Sequence, residues 1–141
     1  MQKSKQTIAE RTRLARNLRL AENIQASGAK HAIDDILVRE CLSLQQEIGL
    51  LPLDPAHTKI QLLRALNSAG ANLVEGVGRG GAQETLRFYT MARGSIYESA
   101  YHSTALQLPH TTRILALSDS IDRLILTHIN KCAISYVNDV D

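Results

Sequence analysis

Four glycines, Gly76, Gly78, Gly80 and Gly81, fall within six residues, and helix-like sequence lies on both sides of them. Glycine is among the poorest residues for a helix interior, at about 1 kcal/mol relative to Ala. The stretch Ala69–Glu98 therefore reads as a helix, a tight break near Gly80–Gly81 and a returning helix. Arg79 falls at the end of the first helix and Glu84 in the first turn of the second, the termini whose partial charges suit those signs. The cluster is no phosphate loop, because no strand precedes it and no Lys-Ser/Thr follows. A helix C-cap plus turn is the reading it supports.

The rest of the chain falls in with this hairpin. Ile33, Leu37, Cys41, Leu44 and Ile48 recur every three or four residues and predict a helix over about 29–48. Gly49 and the Leu50–Pro55 loop end it. Asp54 before Pro55 reads as an N-cap followed by Pro at the first helical position. The next helix runs to about Val77 through Ile60, Leu63, Leu66, Leu73 and Val74. The helix beginning near Ala82 ends at Leu106–His110. A last helix carries Ile114, Leu117, Ile121, Leu124, Ile125, His128, Cys132 and Tyr136 on one broad stripe. No period-2 strand appears. With one Phe, four Tyr and no Trp, the core must come from Leu, Ile, Val and Ala, which suits helices. The expected fold is all-α: an up-down-up-down four-helix bundle over residues 29–141. Residues 1–28 form a separate N-terminal basic arm or helix.

Charge divides the same way. Residues 1–30 carry seven Lys/Arg against two Glu, and residues 31–141 carry nine against twelve acids. A basic arm thus precedes a mildly acidic body, a pattern that suits polyanion contact and equally a solvated extension. In the arm, Leu14, Leu18 and Ala21 share one helical arc and Arg13, Arg16 and Arg19 the opposite one. Lys3, Lys5, Arg11, Arg13, Arg16 and Arg19 are the candidate nucleic-acid contacts. Its apolar face (Leu14, Leu18, Ala21 and Ile24) also suits docking on a protein.

Catalytic chemistry finds no foothold. The histidines at 31, 57, 102, 110 and 128 lack the i, i+4 pairing of a helical metal site. His128 reads as a satisfied core or interface histidine. Cys41 and Cys132 have no metal spacing and read as buried free thiols. Glu75 and Glu98 read as structural ion-pair partners of arginines ahead of an acid–base pair. The expectation is a protein that is not an enzyme and carries no cofactor or metal. No apolar run nears the ~20 residues of a membrane span, and the basic N-terminus lacks a signal-peptide core, so a cytoplasmic location is expected.

At Ala71-Asn72-Leu73-Val74-Glu75-Gly76-Val77-Gly78-Arg79 the chain resembles the Asn-Ile-Ala-Glu-Gly-x-Gly-Arg signature of the small four-helix-bundle proteins encoded in intervening sequences of bacterial 23S rRNA genes. Leu86-Arg87-Phe88-Tyr89 is similar to that family's Arg-Phe-Leu block. Ala92-Arg93-Gly94-Ser95-Ile96-Tyr97-Glu98 is similar to its Ala-Lys/Arg-Gly-Ser-x-x-Glu block. Val74 stands where Ala is usual, and the basic arm is extra. The resemblance implies a homopentameric bundle for which RNA binding is the usual supposition. It also extends to the accessory variability determinant of diversity-generating retroelements, a basic pentamer that binds nucleic acid and a reverse transcriptase. Two functions follow as expectations: an oligomeric RNA- or DNA-binding protein, or a protein-interaction scaffold such as an accessory subunit of a reverse transcriptase. Ile36, Leu42, Leu115 and Ile129 lie off the main stripes and point the same way, toward an oligomer.

The motif residues Arg64, Ser68, Asn72, Glu75, Gly76, Gly78, Arg79, Arg87, Gly94, Ser95 and Glu98 carry a structural expectation as well. Level residues of an antiparallel hairpin turning at Gly80–Gly81 have numbers summing to about 162. Glu75 with Arg87, Arg64 with Glu98 and Ser68 with Gly94 all meet that condition. The expectation is a ladder with an ion pair near each end and a small-on-small contact at Gly94 between them. A local Glu75–Arg79 pair is the rival.

Overall fold

The structure, a computed structural model, describes residues 7–26, 35–79 and 81–140, with side chains placed over 7–18, 35–79 and 81–134. Five helices follow one another: α1 (Ile8–Ala26), α2 (Ile36–Gly49), α3 (Ala56–Gly78), α4 (Ala82–Ala105) and α5 (Thr111–Val140). Helices α2 to α5 pack as a helical bundle, each against the next, and α2 also touches α5. Helix α1 stands apart and meets α3 over a short stretch. No described helix is long and apolar enough to cross a membrane.

The core is one seam per helix. Val38, Cys41, Leu44 and Ile48 enter from α2, and Leu62, Leu66, Ala69 and Leu73 from α3. Tyr89, Ala92 and Ile96 enter from α4, and Ile114, Leu117 and Ile121 from α5. Steps of three and four residues hold each set on one face of its helix. On α4 the seam continues through the buried Ser99 and Ser103. Ser99 Oγ donates to its own Ser95 carbonyl at 2.8 Å, and Ser103 Oγ shares a 2.6 Å hydrogen bond with Thr111 Oγ1. Small side chains bring helices close there, and each buried hydroxyl keeps a partner. The stripe on α5 is buried at Ile114, Leu117 and Ile121, then partly exposed at Leu124, Ile125, His128 and Cys132. Cys132 is thus half-buried, in contrast to the expectation of a core thiol.

Local chemistry sets the boundaries, and two differ from the sequence expectation. Helix α2 begins at Ile36, not near Ala29. The Asp35 side chain accepts from Leu37 N at 2.9 Å and Val38 N at 3.4 Å, with the Asp35 backbone outside the helical range at ψ 136°. Residues 29–34, Ile33 among them, lie outside the described residues. Helix α3 begins at Ala56, with Pro55 rather than Asp54 at the cap and no side-chain cap bond. Extended Pro55 (φ −75°, ψ 144°) instead offers its carbonyl to Thr58 N and Lys59 N. Lys59 Nζ then donates to the Gly49 and Leu51 carbonyls at 3.0 and 2.6 Å, placing a cation on the negative end of α2.

Helix α4 ends in a Schellman motif. Leu108 N donates to Ser103 O and Gln107 N to Thr104 O, both at 3.0 Å. Gln107 takes the left-handed position at φ 54°, which glycine usually fills.

Candidate nucleic-acid interface and hairpin motif

Helix α1 opens with a capping box. Glu10 N donates to Thr7 Oγ1 at 3.2 Å, and Thr7 N donates to Glu10 Oε2 at 2.8 Å. From Thr7 to Leu18 every side chain is exposed, including Arg11, Arg13, Arg16, Leu14 and Leu18. Arg11, Arg13 and Arg16 hold no carboxylate among the described residues. Lys3, Lys5 and the Arg19 side chain, also candidate contacts, lie outside the described ones.

Four of the bundle's arginines are held by carboxylates. Arg113, on α5, reaches Glu40 at 2.8 Å and Glu47 at 2.6 Å and clamps α2. Its hydrogen bond holds the Glu47 carboxyl below its usual pKa, and both carboxylates hold the guanidinium above its own. Arg93 Nε donates to Asp122 Oδ1 at 2.6 Å while Tyr97 donates to the other oxygen at 3.1 Å, tying α4 to α5. These cross-helix clamps escaped sequence reasoning, since spacing within one helix cannot pair residues 66 or 73 positions apart.

In the α3–α4 hairpin the register is close to the expected one, but the contacts are different. Ser68 Oγ meets Ser95 Oγ at 3.0 Å, and Asn72 Nδ2 donates to the Ser68 carbonyl at 2.8 Å. The small-on-small contact thus belongs to Ser95. Gly94 is exposed, and a Cβ there would meet nothing within 4 Å. The expected charge ladder is absent. Glu75 pairs with Arg79 at 2.6 Å, Arg87 with Glu84 at 3.5 Å, and Glu98 with His102 at 3.3 Å. Arg64 is exposed and has no ion pair among the described residues. All four ladder charges lie on the outer surface, where neighbours one turn away pair without desolvation.

The close approach is at Gly76 instead. A Cβ on Gly76 would lie 2.9 Å from Tyr89 Cε1 and 3.2 Å from Phe88 Cβ. Its carbonyl accepts from Thr85 Oγ1 at 2.8 Å across the turn. Gly76 is therefore a contact glycine inside α3. Gly78 lies in the last turn, and α3 ends at Arg79, whose N–H points to the Gly76 carbonyl at 3.5 Å. Arg79 and Arg87 then stack against Phe88 from either side of the turn, with guanidinium carbons 4.8 and 4.9 Å from the ring centre. The Glu-Gly-x-Gly-Arg and Arg-Phe blocks together build this corner of the hairpin.

Tyr89 also meets His128 edge-on at 5.1 Å between ring centres. Burial, then Lys131, lowers the His128 pKa, offset in part by the Leu124 carbonyl one turn back. Its buried Nδ1 makes no well-formed hydrogen bond, so the histidine is less satisfied than expected. Burial, with Glu40 and Asp35 adding, pushes the Cys41 thiol up to about 12, which leaves it inert as a nucleophile. Among the described residues no group of three His, Cys, Asp or Glu could hold a metal ion. Comparison of the chain with protein-family models, with curated proteins and with solved structures finds no match.

Proposed function

We propose that this chain is a non-enzymatic, cytoplasmic, oligomeric bundle protein of the 23S intervening-sequence kind, and that it binds RNA or DNA through α1. One observation carries the reading: Arg11, Arg13 and Arg16 stand exposed together on one helix with no acid partner among the described residues, whereas in the bundle Arg79, Arg87, Arg93 and Arg113 are each tied to a carboxylate and Arg64 and Arg123, without one, lie on different helices. Unpaired arginines gain most from phosphate, because no existing ion pair has to break. A homopentamer, as the resemblance implies, would repeat the basic helix fivefold. The exposed Ile36, Leu42, Leu115 and Ile129 support association of copies. A second reading, an accessory subunit docking on a nucleic-acid enzyme such as a reverse transcriptase, is favoured by Leu14 and Leu18 exposed on the same helix.

Fluorescence anisotropy with a mixed-sequence RNA and the matching DNA duplex, titrated across salt, tests the first reading. Binding should weaken along a straight log–log line as counterions are released. Replacing Arg11, Arg13 and Arg16 by Gln should reduce the slope by about 1 for each phosphate no longer neutralised. No binding at low salt, or an unchanged slope in the variant, would reject it.

A further inference from the structure

The outer face between α2 and α3 carries a groove of about 420 Å³. Val38, Leu42, Gly70, Ala71 and Val74 make it apolar, and Glu75 stands at one end. Ala71, exposed and small, leaves the groove floor low, while Gly70 is buried and lets α2 come close, since a Cβ there would lie 3.3 Å from Cys41 Cβ. The same chain carries a helix that meets its own bundle over only a short stretch of α3. The side chains in the first three turns of α1 are all exposed, Leu14 at 49% and Leu18 at 57%. A single helix of this length has little stability in water and draws it from packing an apolar face.

We propose that this groove seats the α1 helix of a second copy of the chain. The dimensions agree. From Asn67 to Glu75 the groove follows α3 for eight residues, about 12 Å. Leu14, Leu18 and, by helical spacing, Ala21 span seven residues, about 10.5 Å, on one arc. These are the i, i+4, i+7 anchors of a helix laid into a groove. Arg11 lies about 60° round from Leu14, at the edge of that arc. Glu75 at the groove's end is held by Arg79 at 2.6 Å, so the complementarity is between the two regions as wholes. The arm is basic and the body acidic in net charge. A second copy is the occupant because the described side chains of α1, residues 7–18, are exposed in their own chain while the groove stands open. Donor and acceptor surfaces differ, so the contact is head-to-tail and closes as a ring or as a reciprocal exchange. Arg13 and Arg16 then stay on the far side, free for phosphate. The inference rests on the oligomer in the proposed function and names the surface that makes it.

Sedimentation velocity on the full chain, with two groups of variants, provides the test. Leu14→Glu with Leu18→Glu spoils the helix, and Ala71→Arg spoils the groove. All three positions are exposed, so folding should survive, and circular dichroism will check it. Each variant should weaken self-association at least tenfold. In a Cys132→Ser background, chains with Leu14→Cys mixed with chains with Ala71→Cys should form a covalent dimer on oxidation. A wild-type monomer at all concentrations would remove both the oligomer and this seat. An oligomer that survives both sets of variants would overturn the seat and leave the oligomer standing. So would a disulfide between the two introduced thiols that forms only within a chain carrying both.

Discussion

At the scale of single residues, two glycines exchange the roles their sequence suggested. Gly94 sits in the α4 interior with open space where a Cβ would be. Replacing it by Ala should stabilise the fold by about 0.5–1 kcal/mol, since nothing offsets glycine's helix cost. Gly76→Ala should destabilise by about 1–3 kcal/mol, because Tyr89 must move off its packing with His128. Chemical denaturation of the pair checks both signs, and a stabilising Gly76→Ala would refute the close contact. A small residue inside a helix says that something could approach, not that anything does. Counting the seam Tyr89, Ala92, Ile96, Ser99 and Ser103 would have put Gly94 off the buried face. Gln107 is the converse case: at φ 54° glycine is preferred, and Gln107→Gly should raise stability by several tenths of a kcal/mol in the same assay. Thiol chemistry also separates along the chain. Cys41 is fully buried with its pKa pushed up to about 12, and Cys132 is half-buried. Titration of the native protein with a thiol reagent at mild alkaline pH should modify Cys132 and spare Cys41; equal rates would show the core opening on that timescale.

At the scale of elements, periodicity placed the four bundle helices and both sides of the α3–α4 turn, because burial imposes spacing that can be counted. It misplaced the starts of α2 and α3, because the Asp35 cap is one side-chain bond and the extended Pro55 one backbone conformation, and neither leaves a period. Asp35→Ala should therefore cost about 1 kcal/mol, seen in the same denaturation experiment. What joins α2 to α5 was beyond reach of spacing altogether, being an arginine bridging two acids far away in the chain. That clamp has a pH signature. Glu47 titrates below its ordinary value in the fold, so the unfolded chain takes up its proton first. The contribution is whole above the unfolded glutamate range and fades as pH falls through the lowered folded value. Thermal melts of wild type and Arg113→Gln should accordingly differ most above about pH 5 and converge as acid is added. A difference that persists unchanged into strong acid would show that Arg113 acts through packing of its stem alone.

At the scale of the whole molecule, the described side chains of the basic helix lie outside the core that holds the bundle together. Among the described residues the buried core side chains run from Val38 to Ile121, on α2 to α5 and the α4–α5 loop. The side chains of residues 7–18 are all exposed. The division into basic arm and acidic body could be read from charge alone; the open groove on α2 and α3 could not, since it depends on which faces two helices leave uncovered. Removing residues 1–26 should thus leave a cooperatively folding helical bundle. It should also remove something only the assembly shows. A protein that associates in its folded state melts at a higher temperature as concentration rises, because association draws on the native form by mass action. The full chain should show that rise over about a hundredfold range of concentration. The truncated chain should melt at one temperature throughout, equal to the low-concentration limit of the full chain. If truncation instead lowers the melting temperature of dilute protein by many degrees, α1 belongs to its own bundle and the seat is internal. If the truncated chain keeps the concentration dependence, other exposed residues, with Leu115 and Ile129 on α5 the first to substitute, hold the copies together.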